Sequence, residues 1–385
     1  MQVKSSNFSL IKSNNRTMLV DIPPNFLTYE ECFYFGIPKR GRNIVNAPQT
    51  MKAALLTEYG KPLEIRDVPR PIPRVDEVLV KIEASGVCFT DVHILKGEHA
   101  SPNPLPLIMG HEGVGRVVEL GSEGGALKVG DRVGIGYVFG ACGHCRDCLT
   151  GGENYCPSFD ATGFSVSGCF AEYVCMRKEW ANRIPEGISP VEAAPLMCAG
   201  AAAYASHKKT GVQTGETLAI FGLGGLGQYA IQIAKLAGVR VIAVDTSEEK
   251  LATAKALGAD EVVVADKNAG NVIQELGGVQ GCVNFAPVGA TWPLMLAACN
   301  PRATIVLTAV PADQLSFYTY EVVERGLKVV GSSASNRQEM NELLALASAG
   351  NVKGIIQTMP FEKINEALSS LIEGRTEGRT VLDLQ

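Results

Sequence analysis

The chain has no excess of positive charge: 35 lysines and arginines face 40 aspartates and glutamates in 385 residues, a net charge of −5 with the histidines neutral. Sequence-independent binding to a phosphate backbone needs a broad positive field, so nucleic acid is excluded as an expected partner. Long apolar runs are missing too. The longest, "AAPLMCAGAAAYA", covers 13 residues, short of the roughly 20 that a membrane-crossing helix requires, so no span and no membrane partner are expected. No charged-then-apolar leader opens the sequence, and the 11 cysteines are therefore not read as disulfides of an oxidising compartment. No repeat recurs at a fixed period, which excludes a solenoid or propeller. What is present is 46% hydrophobic residues, enough for one large or two ordinary domains with real cores.

The first fifty residues differ from the rest. Six basic residues against three acidic ones give them +3, and so leave −8 for the remainder. Up to Thr17 there are three basic residues, four serines and no acidic residue, the composition of an organellar transit peptide, though no amphipathic helix accompanies it. The reading adopted is a disordered tail, or an upstream extension ahead of a natural start at Met51. A cytoplasmic location follows, or the mitochondrial matrix if the extension is a transit peptide.

From Met51 short β-type runs such as "VLVKIEASGV" and "GVGRVVEL" are broken by Gly, Pro and Asp, which predicts a strand-and-turn domain. From about residue 215 the pattern changes to "TLAIF", a glycine cluster, the helical "LGQYAIQIAKLAG", "VRVIAVD", the helical "SEEKLATAKALG" and "EVVVA". Strand alternating with helix predicts a parallel sheet covered on both faces. Leu226, Ala230, Ile233, Ala234 and Ala237 fall on one helical stripe, and Thr246 with Glu249 reads as a capping box for the next helix. "CVNFA", "TIVLTAV" and "LKVVGS" supply strands for the second half of that sheet.

"GLGGLG" places Gly222, Gly224 and Gly227 between the strand and the helix, where a dinucleotide fingerprint belongs. The first glycine permits the turn, the second lets backbone approach a pyrophosphate, and the third lets helix and strand pack. Asp245 ends the second strand, where a carboxylate accepts ribose hydroxyls and repels a 2′-phosphate, so NAD(H) is expected over NADP(H).

"ACGHCRDCLTGGENYC" carries Cys142, Cys145, Cys148 and Cys156 at gaps of two, two and seven. A ferredoxin run has a last gap of three, and the seven here breaks that pattern. Four thiolates on one glycine-bearing loop suit tetrahedral zinc and leave no open coordination position, which makes the site structural. His144, between two of the cysteines, reads as an exposed loop residue. A second set is dispersed: Cys88, Thr90, Asp91 and His93 in "ASGVCFTDVH", His111 and Glu112 in "MGHEGVG", and Cys198 in "APLMCAG". Two thiolates and an imidazole would leave a fourth metal position open, as a catalytic zinc requires, although spacing alone does not gather them.

In their order these motifs resemble the zinc-dependent alcohol dehydrogenases of the medium-chain dehydrogenase/reductase superfamily, from about Met51 to Gln385. The resemblance implies an α/β protein with a β-rich GroES-like catalytic domain at 51–198 and 335–385 and a doubly wound Rossmann domain at 199–334. It implies two zinc ions per subunit, one held by Cys88, His111 and Cys198, the other by Cys142, Cys145, Cys148 and Cys156. Asp91 would orient the histidine, Glu112 would stand behind the metal, and Thr90 and His93 would relay the proton. The cofactor residues would be Gly222, Gly224, Gly225, Leu226, Gly227, Asp245, Lys250, Val310 and Arg379. The implied activity is NAD(H)-linked interconversion of primary, and also secondary, alcohols with aldehydes or ketones by a homodimer or homotetramer. The alternatives are a reductase of a specialised aldehyde or enone on the same fold, and a catalytically idle relative. Cys198 stands where polyol-oxidising relatives carry glutamate, and Phe89 where several members carry a histidine or arginine on the pyrophosphate. His99 and Tyr137 align with two tryptophans of yeast-type ethanol enzymes, which predicts a wider and more polar pocket.

Overall fold

The computed structural model describes residues 11–13, 16–18, 49–122, 125–311 and 313–385. Met1–Asn46 and Ala47–Gln385 form separate compact units. In the first, Ile11–Ser13 pairs antiparallel with Arg16–Met18; the disordered-tail and transit-peptide readings otherwise fall outside the described residues.

The alternation of strand and helix after residue 215 produces a six-stranded sheet in which every pairing is parallel. Its order is Glu261–Val264, Arg240–Asp245, Thr217–Phe221, Val279–Asn284, Cys299–Leu307 and Lys328–Gly331, the doubly wound order 3-2-1-4-5-6. Thr217–Phe221 is buried along its whole length, as a central parallel strand with both faces covered must be. Leu218 and Ile220 point into one apolar cluster, with Ala230, Ile233 and Ala234 of the helix Gly227–Leu236. Ala219 and Phe221 point into another, with Ile273, Trp292 and Met295. The order reverses between Thr217–Phe221 and Val279–Asn284, so a crevice opens at the carboxyl ends of these two strands, where the glycine turn sits.

The strand-and-turn region gives a seven-stranded, mostly antiparallel sheet organised on Glu77–Val87. One edge of that strand pairs with Gly113–Leu120, and the other with Tyr173–Arg177 and then Arg379–Asp383. The chain therefore returns from the parallel sheet to finish the first one. A three-stranded sheet of Glu64–Pro69, Thr50–Leu56 and Leu107–Ile108 lies beside it.

Ala84 and Val114 of the first sheet share a cluster with Met197, Leu343 and Leu218. The helices Ala199–Thr210 and Arg337–Ser348 thus carry one continuous core between the sheets. The helix after the second parallel strand begins one residue later than the sequence suggested: Ser247, not Thr246, is the cap, its Oγ accepting from Lys250 N at 3.3 Å. Asp245 Oδ1 takes the Ser247 N–H at 3.0 Å and turns the chain there, so the cap falls on the next residue with extended backbone.

Since Ile220 is fully buried in the shared cluster, Ile220→Ala is expected to cost about 2–5 kcal/mol, read as a lower midpoint in urea denaturation followed by circular dichroism. An unchanged midpoint would contradict the packing described.

Candidate active site

Cys88 follows the long strand Glu77–Val87 and caps the helix Phe89–Leu95. Asp91, one turn into that helix, is fully buried. Its Oδ2 accepts from the Cys88 backbone N–H at 2.9 Å and its Oδ1 lies 3.1 Å from His111 Nδ1. Nδ1 is engaged by this carboxylate, so Nε2 is the ring nitrogen left for a metal. That Nε2 is buried without a hydrogen-bond partner. Cys198 comes from the turn that starts Ala199–Thr210, and its Sγ lies 3.8 Å from that of Cys88.

The donor atoms of Cys88, His111, Glu112 and Cys198 all lie within 4.8 Å of one another. Two sulfurs at tetrahedral zinc distances stand about 3.8 Å apart, so the spacing fits a metal. The three groups also set one another's protonation. The Cys88 thiol is held well below the ordinary thiol range by the hydrogen bond from Cys198 and, against burial, by His111. Cys198 is pushed well above it by sharing that hydrogen bond and by burial. Burial works against a charged His111, yet the Asp91 carboxylate lifts it well above the usual imidazole range.

Thr90 Oγ1 lies 3.8 Å from Cys88 Sγ, and His93 follows one turn on along the same helix face. Phe89 packs edge-on against His93 with ring centroids 5.2 Å apart. Tyr137 stands edge-on to His111 at 5.4 Å and, with Trp180, Asn182, Met197 and Asn336, lines a cleft beside Cys198. His99 does not share that cleft. It is exposed, its ring 5.2 Å from that of His93, because the loop after the helix folds back over the helix end.

The second crevice is the glycine turn. Gly222 has φ 89°, and a Cβ there would stand 2.7 Å from Ala286 N; at Gly227 it would meet Gly222 O at 2.5 Å. Nothing lies within 4 Å of the Cβ position at Gly224, so this backbone faces open space, the shape a pyrophosphate needs. Asp245 closes the turn, its Oδ2 accepting from Leu223 N at 2.8 Å, and Leu226 sits half-buried at the start of the helix. Lys250 and Val310 are both exposed, Lys250 on Glu248–Ala256 and Val310 beyond the end of Cys299–Leu307.

Arg379 joins the two crevices. Its guanidinium lies against Gly225, where a Cβ would meet its Nη1 at 3.0 Å, and its Nη2 donates to Glu112 Oε1. Both residues are buried. Burial lifts the Glu112 carboxyl to about 7, against the pull of Arg379. Arg379 is expected at the cofactor and Glu112 behind the metal, but their contact is not legible in the sequence. They are 267 residues apart, and no local signal connects them. Glu98 is a further residue not expected from the sequence, its Oε2 2.5 Å from His93 Nδ1; a glycine between helix end and carboxylate is the signal that could have found it.

Cys142, Cys145, Cys148 and Cys156 form the second donor group within 4.8 Å, and among the described residues these two are the groups that could hold a metal. Cys142 Sγ and Cys148 Sγ are 3.9 Å apart, again a tetrahedral spacing. Backbone N–H groups of His144 and Cys145 draw the Cys142 thiol down to about 6, and burial pushes Cys148 up to about 12. His144 is exposed, bonded to the Cys142 carbonyl. The loop is tied to the segment that follows the last parallel strand. Asn336 Nδ2 donates to Gly151 O at 2.7 Å, Arg337 Nε to Glu153 Oε1 at 2.7 Å, Asn154 Nδ2 to Ser333 O at 2.6 Å, and Ser333 N to Tyr155 Oη at 3.1 Å.

A doubly wound sheet with a glycine turn, beside a buried thiol–thiol–imidazole group, has the layout of a metal-binding dehydrogenase. Residues 74–186 match the alcohol dehydrogenase GroES-like domain and residues 225–349 the zinc-binding dehydrogenase domain. An alcohol dehydrogenase of Geobacillus stearothermophilus is 41% identical over 334 residues, 86% of this chain and 99% of the relative. One of Schizosaccharomyces pombe is 35% identical, over 88% and 99%. The crystal structure of the alcohol dehydrogenase of Aeropyrum pernix superposes with a TM-score of 0.81 at 34% identity, covering 86% of this chain and 99% of that one. The chain belongs to the zinc-type alcohol dehydrogenases of the medium-chain dehydrogenase/reductase superfamily.

The two donor groups predict separable effects. Cys145→Ser is expected to lose one metal and lower the apparent Tm by roughly 5 °C or more, whereas Cys88→Ser loses the other metal with a smaller change. Elemental analysis with thermal denaturation checks this. Two metals retained in either variant would contradict the assignment of donors.

Proposed function

We propose that the protein is an NAD(H)-dependent alcohol dehydrogenase that interconverts primary and secondary alcohols with aldehydes and ketones. The observation that carries the reading is the pair of sulfurs 3.8 Å apart, Cys88 buried and Cys198 partly so, beside the unpartnered His111 Nε2. Cys88, His111 and Cys198 would hold a catalytic zinc, and Cys142, Cys145, Cys148 and Cys156 a structural one. Bound there, zinc supplies a Lewis acid that makes the hydroxyl of an alcohol a stronger acid.

The chain's own residues do the rest. Asp91 fixes the tautomer and orientation of His111. Thr90 accepts the hydrogen bond of the substrate hydroxyl, and His93 carries its proton toward solvent. The Gly222–Gly227 turn receives the pyrophosphate, Arg379 adds positive charge beneath it, and Asp245 takes the ribose hydroxyls. Lys250 and Val310, on exposed positions, would flank the cofactor. Tyr137 lines the cleft where yeast-type ethanol enzymes carry tryptophan, and the smaller ring supports turnover of alcohols larger than ethanol.

The catalytic domain is read as 51–198 with 335–385 and the cofactor domain as 199–334, in a homodimer or homotetramer. Among the described residues no helix is long and apolar enough to cross a membrane, and a cytoplasmic enzyme is the reading adopted, with the matrix the alternative. The test is a panel of alcohols with NAD and NADP. We expect turnover with NAD, at least tenfold weaker kcat/KM with NADP (about 1.4 kcal/mol), and higher kcat/KM for benzyl alcohol than for ethanol. No turnover of any alcohol or aldehyde by the protein carrying two zinc ions would overturn the reading.

A further inference from the structure

His93 is held on three sides. Phe89 packs edge-on at 5.2 Å, the His99 ring lies tilted at 5.2 Å, and Glu98 Oε2 stands 2.5 Å from Nδ1. The placement of Glu98 is built into the end of the helix Phe89–Leu95. Lys96 N donates to Val92 O at 3.0 Å and Gly97 N to Ile94 O at 2.9 Å. Gly97 then takes φ 74° against the Tyr59 ring, and His99 N returns to His93 O at 3.3 Å. The positive φ reverses the chain and sets the Glu98 carboxylate on the ring.

A carboxylate accepts and does not donate. The hydrogen bond from His93 holds the Glu98 carboxyl below its ordinary range, so it is ionised near neutrality. Nδ1 must then carry the proton in both the neutral and the charged ring, and Nε2 is the edge that accepts one.

We propose that Glu98 is a positioning residue for proton release, holding His93 in the tautomer whose Nε2 takes the substrate's proton and stabilising the resulting imidazolium. This rests on the reading in which His93 carries the hydroxyl proton. The balance is simple: the alcohol oxygen gives up one proton, Nε2 takes one up, and water removes it. Glu98 ends each cycle unchanged. The surroundings allow the pair to act alone. Lys96 Nζ lies 4.0 Å from the other Glu98 oxygen, His99 stands on the far side of the ring, and Tyr59, against Gly97, accepts from Ser101 N through its hydroxyl. Asp91 is committed to Cys88 N and His111. The opposite face of the helix packs through Val92, Ile94 and Leu95 on Ile364, Ala367 and Leu368, all apolar. With side chains 20% and 50% exposed, His93 and Glu98 form a passage from the buried site to water.

The test is the pH dependence of kcat for NAD-linked alcohol oxidation by the full-length zinc-loaded protein, its Glu98→Gln variant, and the same change on a His93→Gln background. Glu98→Gln keeps size and hydrogen bonding but removes the charge. The acid limb of log kcat is expected to move to lower pH by about half a unit, a surface ion pair's worth, with the plateau about twofold lower. KM for NAD, zinc content and Tm should not change. On the His93→Gln background the substitution should have no further effect. An identical profile for wild type and Glu98→Gln, or the same shift without His93, would overturn the inference while leaving the dehydrogenase reading intact. A wild-type protein without turnover would instead remove the reading on which it rests.

Discussion

Two sulfurs 3.8 Å apart, one buried and one partly buried, can both be thiolates only if a cation lies between them, because two unpaired negative charges largely withdrawn from water repel strongly and lose their hydration. The rest of the molecule is arranged around this demand. Cys88 follows directly on the longest strand of the first sheet, Cys198 caps the helix that leads to the second, and His111 arrives on the chain entering the neighbouring strand. Each comes from a different element, and none could reach the others unless the shared core held both sheets in register. The buried Asp91 fixes one donor by its side chain and another by its backbone, so a single carboxylate sets the geometry of two of the three.

The same economy of buried charge governs the link to the glycine turn. Glu112 and Arg379 are each buried, and a pair of this kind is costly to form but more costly to break, about 3–5 kcal/mol when one partner is removed. Arg379 stands in the strand that completes the first sheet and lies beneath a turn that belongs to the second. Occupation of the turn by an anion and occupation of the thiol site by a cation are therefore felt by adjacent members of one ion pair. Their charges are of opposite sign, so each offsets what the other would do to the guanidinium and carboxylate between them.

Legibility in the sequence followed the range of the physics. The glycine turn and the four-cysteine loop could be read directly, since a tight turn or a dense set of soft donors needs only neighbours in the chain. The parallel strands were legible as buried runs, and their helices by period, although the cap at Ser247 was displaced by a side-chain bond from Asp245 that no capping pattern contains. The dispersed set of Cys88, His111 and Cys198 came from resemblance rather than from spacing, because its proximity depends on the packing of two sheets. The Glu112–Arg379 pair, the Glu98–His93 contact and the surface position of His99 escaped for the same reason: each depends on where a chain reverses or returns.

The ties between the four-cysteine loop and the segment after the last parallel strand bear on how the chain is made. Glu153 and Arg337 are 184 residues apart, so during synthesis the loop leaves the ribosome long before its partner segment exists. For that interval hydrogen bonds to Ser333, Asn336 and Arg337 are of no use to it. Closing a short loop around one ion carries a small entropic cost and needs nothing from downstream. Closed by a metal, such a loop would wait in its final shape as a ready surface on which the returning chain docks, a role that an apolar core dependent on downstream residues would not fill.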